Sequence, residues 1–284
     1  MDDIISEAIS SVLPTENEVL QYERDGYYIS RPLFSENIIS SAMHGIERYY
    51  RGERDFAISM MFEDFEGWKP GDKDKRRLND YAMLCMKELK ALLTPTLGAI
   101  AGRLARTDSI RLWHDQLINK TPSTNTGIGW HTDKEYWPTC SSSKMLTAFI
   151  PLNKHEDNMG PLMFVEGSHL WSEQSSHRSF HSTKVDRLIH DQEQVRIKKV
   201  QVQPGCISFH HCRTIHGSDA NLSHTNRVAV AVHLQDAGNK YTEWKYENGK
   251  PAFHQNDALC SRLDGLPNYS DPDIFPEIWR RVEG

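Results

Sequence analysis

The chain has 284 residues, 38% hydrophobic and 25% charged, with a formal net charge of -6 and a sequence pI near 6.2. That length and apolar content suit one large soluble domain with a sizeable core. The acidic balance argues against nucleic acid or an anionic membrane as partner.

The five cysteines, Cys85, Cys140, Cys206, Cys212 and Cys260, are odd in number and contain no CxxC pair, which predicts free thiols and a reducing compartment. No apolar run reaches the 18 or more residues of a membrane span. The opening MDDIISEAISSVL is acidic, unlike a presequence, and Val282-Glu283-Gly284 is not a peroxisomal address, so the cytoplasm is the expected location.

Thr15-Glu16-Asn17-Glu18 reads as a capping box ahead of a short helix to about Arg24. Asp25-Gly26 ends it, and Tyr27-Tyr28-Ile29 follows as a strand. Ser35 is placed to cap a second helix with Ile38, Ile39, Ala42, Met43 and Ile46 as its apolar stripe. Residues 51 to 73 are charged and irregular, with Met60-Met61-Phe62 in an exposed loop or at a pocket mouth. The basic run Lys73 to Arg77 reads as a solvated helix start. A third helix is expected from about Asp74 to Leu93, carrying Leu78, Tyr81, Ala82, Cys85, Leu89 and Leu92 into the core. Thr94-Pro95 closes it, and a short helix to about Leu104 follows.

From Ile110 onward short alternating strands replace the helical period. The candidates are 110–119, 128–133, 144–151, 161–166, 198–203, 206–210, 213–217 and 227–235, punctuated by Gly160-Pro161, Gly167 and Pro204-Gly205. Eight such strands match a double-stranded β-helix, the jelly roll of cupins. The chain is therefore expected to be a single, mainly β domain with flanking helices: a helical prelude over 1–105, a jelly-roll core over 106–236, and a C-terminal wrap or lid over 237–284. The interval 168–197 is a long loop rich in His, Ser and Gln, of the kind that carries function or stays disordered.

His131-Thr132-Asp133 sets an imidazole and a carboxylate two residues apart, on one face if the segment is a strand. Fourteen histidines make such a pair common by chance, so the surroundings decide. His216 precedes a Gly217-Ser218 turn at a separation that would bring a late jelly-roll strand opposite an early one. Two histidines and a carboxylate on one side of a metal form the facial triad of non-haem Fe(II) oxygenases. Arg227 opens the strand RVAVAVHL, where Val228, Val230, Val232 and Leu234 point one way and Arg227, Ala229, Ala231 and His233 the other. Two alanines beside an arginine leave volume next to a fixed cation, and Ser218 is placed to share it. An arginine fork with a hydroxyl alongside suits the distal carboxylate of a dicarboxylate. A barrel-rim salt bridge is the bland alternative for Arg227.

The segments QLINKTP and WHTD, Asn158-Met159-Gly160-Pro161-Leu162, Glu166-Gly167-Ser168-His169, and IHGS with Arg227 together resemble the phytanoyl-CoA dioxygenase family of Fe(II)/2-oxoglutarate-dependent oxygenases. The resemblance runs from about Arg111 to Gln235. It implies His131, Asp133 and His216 as iron ligands, and Arg227 with Ser218 on the C5 carboxylate of 2-oxoglutarate. It also puts Gln116 at a cosubstrate-contacting position on the first strand. Thr132 and Phe149 fall at two further such positions, where the family more commonly has other residue types. The implied cofactors are Fe(II), 2-oxoglutarate and O2. Asp133 favours oxygen transfer over halogenation, because related halogenases carry Gly or Ala there.

His210 and His211 are expected to line the barrel, and His114 to reach the pocket or sit in the core. His155, His169, His177, His181, His190, His224 and His254 read as loop residues, with His233 open. The expected activity is oxidation of an unactivated C–H bond of a small molecule in secondary metabolism, releasing succinate and CO2. Alternatives are an acyl-CoA 2-hydroxylase, a non-catalytic cupin-like metal binder, and a Zn hydrolase. Residues 54–75, 168–197 and the tail after Ala237 are expected to shape the substrate pocket. Tyr136, Trp137 and Phe149 suit an apolar or ring-bearing substrate and, equally, barrel packing.

Overall fold

A computed structural model describes residues 10–58, 67–73, 76–124, 127–171 and 195–282. The first helix, α1 (Glu16–Asp25), begins at the capping box, with Glu18 N–H donating to Thr15 Oγ1 and Thr15 N–H donating to Glu18. Gly26 ends it at φ 85°, a left-handed conformation that costs a residue with a Cβ more than it costs glycine. Strand β1 (Tyr27–Ile29) and helix α2 (Glu36–Tyr50) follow. Ile39, Ala42 and Ile46 of α2 are buried in the largest core cluster, although the Ser35 hydroxyl makes no capping bond.

The expected helix over 74–93 is not formed. Strand β2 (Arg76–Asp80) comes instead, then two single turns, α3 (Ala82–Cys85) and α4 (Lys87–Lys90). The predicted stripe is still buried: Tyr81, Ala82, Cys85, Leu89 and Leu92 all lie in the main core. What redirects the chain is tertiary pairing. β2 adds to the next strand, β3 (Ser109–Lys120), from Arg76 opposite Lys120 to Asp80 opposite Gln116. Tyr81 then turns out of the strand with φ 60°, and Asp115 Oδ1 accepts the N–H of Met83 at 3.0 Å, holding α3. Of the basic run, Arg76 and Arg77 are strand rather than helix start, with Arg77 stacked on Trp68 and Arg76 donating to Gly127 O. Helix α5 (Pro95–Leu104) forms as predicted, capped by Thr94.

After β3 come β4 (Ile128–His131), β5 (Leu146–Pro151), β6 (Leu162–Val165), β7 (Ile197–Val200), β8 (Ser208–His211), β9 (His216–Ser218) and β10 (Arg227–Asp236). All eight predicted strands of the core are present. Helix α6 (Gln255–Leu259), a short hairpin of β11 (Arg262–Leu263) with β12 (Leu266–Pro267), and β13 (Glu277–Arg280) complete the described chain. The strands make a seven-stranded sheet, β1-β8-β5-β10-β3-β13 with β2 also on β3, and a four-stranded sheet, β4-β9-β6-β7. All pairings are antiparallel, as in a jelly roll. The large sheet thus recruits β1 and β2 from before the core and β13 from after it.

On β10 the predicted alternation is realised. Val228, Val230, Val232 and Leu234 join the main core with the helices, whereas Ala229 and Ala231 pack between the sheets with Ile118, Phe149 and Phe164. Gly160 of the NMGPL segment has φ 66°, and a Cβ there would collide with the Asp219 carbonyl. All five cysteines are free. No helix among the described residues is long and apolar enough to cross a membrane. Met60, Met61, Phe62, His177, His181, His190 and most of the 168–197 loop lie outside the described residues.

Candidate active site

The β4–β9 pairing sets His131 directly opposite His216, so both rings leave the small sheet side by side with centroids 4.2 Å apart. Each Nδ1 faces a backbone carbonyl, Gly129 O at 2.7 Å and Thr214 O at 2.9 Å respectively. A carbonyl only accepts, so Nδ1 carries the hydrogen and Nε2 keeps its lone pair for a metal. The ladder ends at His131, and Asp133 opens a 3-10 turn over Asp133–Tyr136 rather than continuing the strand. The shared face survives because Thr132 stays extended at φ -113°, ψ 144°. Asp133 Oδ1 lies 3.8 Å from His131 Nε2 and 3.5 Å from His216 Nε2, and one ligand atom of each residue falls within 4.8 Å of the others.

Burial, with His216 alongside, pushes the His131 pKa down to about 3, and burial with His210 alongside pushes His216 down to about 4. Burial opposes the charge on Asp133, but the imidazoles of His216, His210 and His233 outweigh it and hold the carboxyl well below its ordinary range. Near neutral pH the triad is therefore two neutral imidazoles and one carboxylate, the protonation state that ligates a divalent metal.

The other carboxylate oxygen of Asp133 is held from behind. Thr147 Oγ1 donates to Oδ2 at 2.5 Å, and His210 Nε2 lies 3.2 Å from the same atom. Since the Thr147 hydroxyl spends its hydrogen on Asp133, it accepts from His233 Nδ1 at 2.8 Å. Strand register aligns these groups, with His114, His233, Thr147 and His210 in one row across β3, β10, β5 and β8. Sequence reasoning left His233 open, took His210 for barrel lining and missed Thr147. In the sequence Thr147 is one polar residue in an apolar strand, LTAFIP, a signal without a direction.

Arg227 closes the far end of the same cavity. It is 1% exposed, and among the described residues its Nε, Nη1 and Nη2 have no hydrogen-bond partner. Burial pushes its pKa down to about 10. Directly opposite on β3 is Lys120, also buried, which sequence reasoning missed. Its ammonium is satisfied by Ser218 Oγ at 2.7 Å and Asp219 O at 2.7 Å. Ser218 accepts from Lys120 and so keeps its own hydrogen to donate. Phe149 flanks the guanidinium, 5.3 Å from Cζ to ring centroid. The end of the cavity is thus a cation, a hydroxyl donor and an apolar wall, a set that an anion completes.

The cavity has a volume of about 480 Å³, within the usual range for small-molecule sites. His131, Asp133, His216, Arg227, Ser218, Gln116 and Phe149 all line it. Thr132 is buried but is not among the lining residues. Gln116 donates to Asp80 Oδ1 at 3.1 Å. Beyond the triad the wall is built by Tyr136, Trp137 and a contribution from the tail, Tyr246, Phe253, His254 and Gln255. His254, in the loop just before α6 as expected, is half-buried and in ring contact with Trp113 and His114. His155 also lies in a loop, yet its ring is buried with Nε2 3.1 Å from Val228 O. Asn256 pins this part of the tail, accepting from Tyr81 Oη at 2.7 Å and donating to Trp113 O at 2.6 Å.

The phytanoyl-CoA dioxygenase (PhyH) family model matches residues 22–229. The chain is 25% identical to an ectoine dioxygenase of Bordetella bronchiseptica, over 81% of this chain and 78% of the relative. It is also 25% identical to the peroxisomal phytanoyl-CoA dioxygenase of Bos taurus, over 95% of this chain and 84% of the relative. Among solved structures, the non-haem α-ketoglutarate-dependent carbocyclase SnoK from nogalamycin biosynthesis aligns with a TM-score of 0.70 at 24% identity, covering 93% of this chain and 96% of that one. EctD from S. alaskensis, crystallised with 2-oxoglutarate and 5-hydroxyectoine, aligns with a TM-score of 0.64 at 18% identity, covering 81% and 79%. A family match across most of the chain, over a jelly roll whose two sheets bring two histidines and an aspartate together beside an unpaired buried arginine, makes this protein a member of the phytanoyl-CoA dioxygenase family of Fe(II)/2-oxoglutarate-dependent oxygenases.

Proposed function

We propose that this oxygenase oxidises an unactivated C–H bond of a small organic molecule in secondary metabolism, releasing succinate and CO2. In this reading His131, Asp133 and His216 hold Fe(II), while Arg227 and Ser218 seat the C5 carboxylate of 2-oxoglutarate. Gln116 and Phe149 contact the rest of the cosubstrate. The observation that carries the reading is the Arg227 guanidinium, fully buried with three unpartnered nitrogens in the cavity that contains the triad. A bare metal site needs no such clamp, which disfavours a non-catalytic metal binder or a Zn hydrolase.

The bound iron supplies activation of O2, coupled to decarboxylation of the cosubstrate. The protein supplies geometry. The Nδ1–carbonyl bonds aim the two imidazoles, Thr147 and His210 occupy one oxygen of Asp133 so that Oδ1 faces the metal, and the aromatic wall limits water.

Anaerobic addition of Fe(II) and then 2-oxoglutarate is expected to give the weak visible charge-transfer band of the chelate, which Zn(II) cannot give. His131→Ala, Asp133→Ala and His216→Ala should each remove the band and 2-oxoglutarate turnover. A normal band in all three variants would refute the ligand assignment. The substrate class is then sought by a mass-spectrometric screen for metabolites that gain one oxygen with matched succinate release. Acyl-CoA oxidation is the second reading, supported by the bovine relative's name. Against it, among the described residues Arg227 is the one Lys or Arg lining the cavity.

A further inference from the structure

Asp80, the last residue of β2, lines the cavity on the side away from Arg227. Its side chain is 17% exposed, and among the described residues no lysine or arginine pairs with it. One oxygen, Oδ1, is held by Gln116 Nε2 at 3.1 Å and lies 3.3 Å from His114 Nε2. Oδ2 has no partner among the described residues. With its side chain 17% exposed at the cavity wall, the carboxylate keeps an acceptor for a ligand's donor. The Gln116 and His114 contacts also fix where its remaining acceptor points.

Position says what could complete it. Asp80 pairs with Gln116 on β3, and β3 is separated from β5, which carries Thr147 under Asp133, only by β10. Strands spaced ~4.8 Å apart put Asp80 roughly 10–15 Å from the triad. Gln116, which takes Oδ1, stands between Asp80 and a cosubstrate seated between the metal and Arg227, while Asp80 is within reach of the other end of a substrate whose reacting carbon lies over the metal. The cavity wall also carries Tyr136 against His131, Trp137 against His233, and Phe253 from the tail, which favour an apolar body. A second carboxylate or a phosphate at this end would face Asp80, beside which the described residues place the His114 imidazole and no lysine or arginine.

We propose that Asp80 is the recognition point for the substrate, and that the substrate is a ring-bearing or otherwise apolar molecule presenting a hydrogen-bond donor, a hydroxyl or a protonated amine, at the end remote from the oxidised carbon. Gln116 and His114 act as positioning residues for the Asp80 carboxylate. This rests on the oxygenase reading above.

The test uses the full chain loaded anaerobically with Fe(II) and 2-oxoglutarate, and three probes matched in length and ring: 4-phenylbutylamine, 4-phenylbutan-1-ol and 4-phenylbutyric acid. Binding is read from the shift of the visible band and from isothermal titration, neither of which needs turnover. The amine, the alcohol or both should bind roughly ten- to hundredfold more tightly than the acid, the value of a charge-assisted hydrogen bond. An amine tighter than the alcohol identifies a cationic donor, and equal binding a neutral one. In Asp80→Asn the preference over the acid should shrink at least tenfold. The inference is overturned if wild type fails to discriminate against the acid at millimolar probe, or if Asp80→Asn keeps the full preference. The wild-type comparison stands even if the variant does not fold. Absence of a visible band before any probe is added would instead fail the oxygenase reading.

Discussion

Replacing Arg227 with methionine should make the protein more stable without ligand and nearly blind to 2-oxoglutarate. The guanidinium is 1% exposed with no partner on any nitrogen, and burial lowers its pKa to about 10. A depression of that size corresponds to about 3 kcal/mol of unfavourable free energy carried by the charged form. The sign follows from linkage: the unfolded chain holds this proton more tightly than the folded chain, so at neutral pH, with both forms protonated, the whole cost is present. It fades only above pH 10. Methionine keeps much of the side chain's apolar volume and removes the charge. For a chain of this size the apoprotein's Tm should rise by roughly 5 °C or more. The cosubstrate loses its counter-ion, and breaking a buried ion pair costs roughly 3–5 kcal/mol, or about two to three and a half decades of affinity. Differential scanning fluorimetry with and without Fe(II) and 2-oxoglutarate, alongside titration of the visible band, reads both effects. A variant that melts well below wild type without ligand, or binds 2-oxoglutarate within threefold of wild type, would show that Arg227 is a structural residue.

Thr147→Val should weaken Fe(II) binding roughly 10- to 100-fold by freeing Asp133 Oδ2, with Thr147→Ser restoring it, as measured by competition with a chromogenic chelator. His155 is buried and neutral, its pKa pushed down to about 3 by burial and then by Arg227. Its contribution to stability is complete above the unfolded pKa of about 6.5 and is lost as pH falls toward 3. His155→Gln should therefore flatten the dependence of unfolding free energy on pH between 6 and 4 by up to ~1.4 kcal/mol per pH unit. Urea titrations at several pH values test this, and an unchanged slope would contradict it. Asn256→Ala leaves the Tyr81 hydroxyl and the Trp113 carbonyl buried without their partner, at a cost of about 2–4 kcal/mol. Because Asn256 pins the segment bearing Phe253, His254 and Gln255, the substrate KM should rise more than the 2-oxoglutarate KM, and equal rises would refute the pinning role.

The eight core strands were legible because period-two alternation is a local property, and Gly and Pro mark its ends. The same logic separated the two faces of β10 correctly, valines to the helices and Arg227, Ala231 and His233 to the cavity. His131, Asp133 and His216 could be picked out because metal chemistry restricts residue type and the turn after His216 restricts position. The region 74–93 misled because Leu78, Tyr81, Ala82, Cys85, Leu89 and Leu92 fit a helical stripe. They are buried nearly as such a stripe requires, but the open edge of a twelve-residue β3 captured Arg76–Asp80 as a strand. Thr147, His210, Lys120 and Asp80 carry no local mark at all. Each acquires its role only from strand register: Thr147 opposite His233 and His210, Lys120 opposite Arg227, and Asp80 opposite Gln116. The sequence by itself determined which chemistry the chain is built for, since that depends on side-chain identity and short spacing. Only the tertiary structure decided which polar groups brace the carboxylate, which cation stays unpaired and which residues line the cavity with it, since those are contacts between strands far apart along the chain.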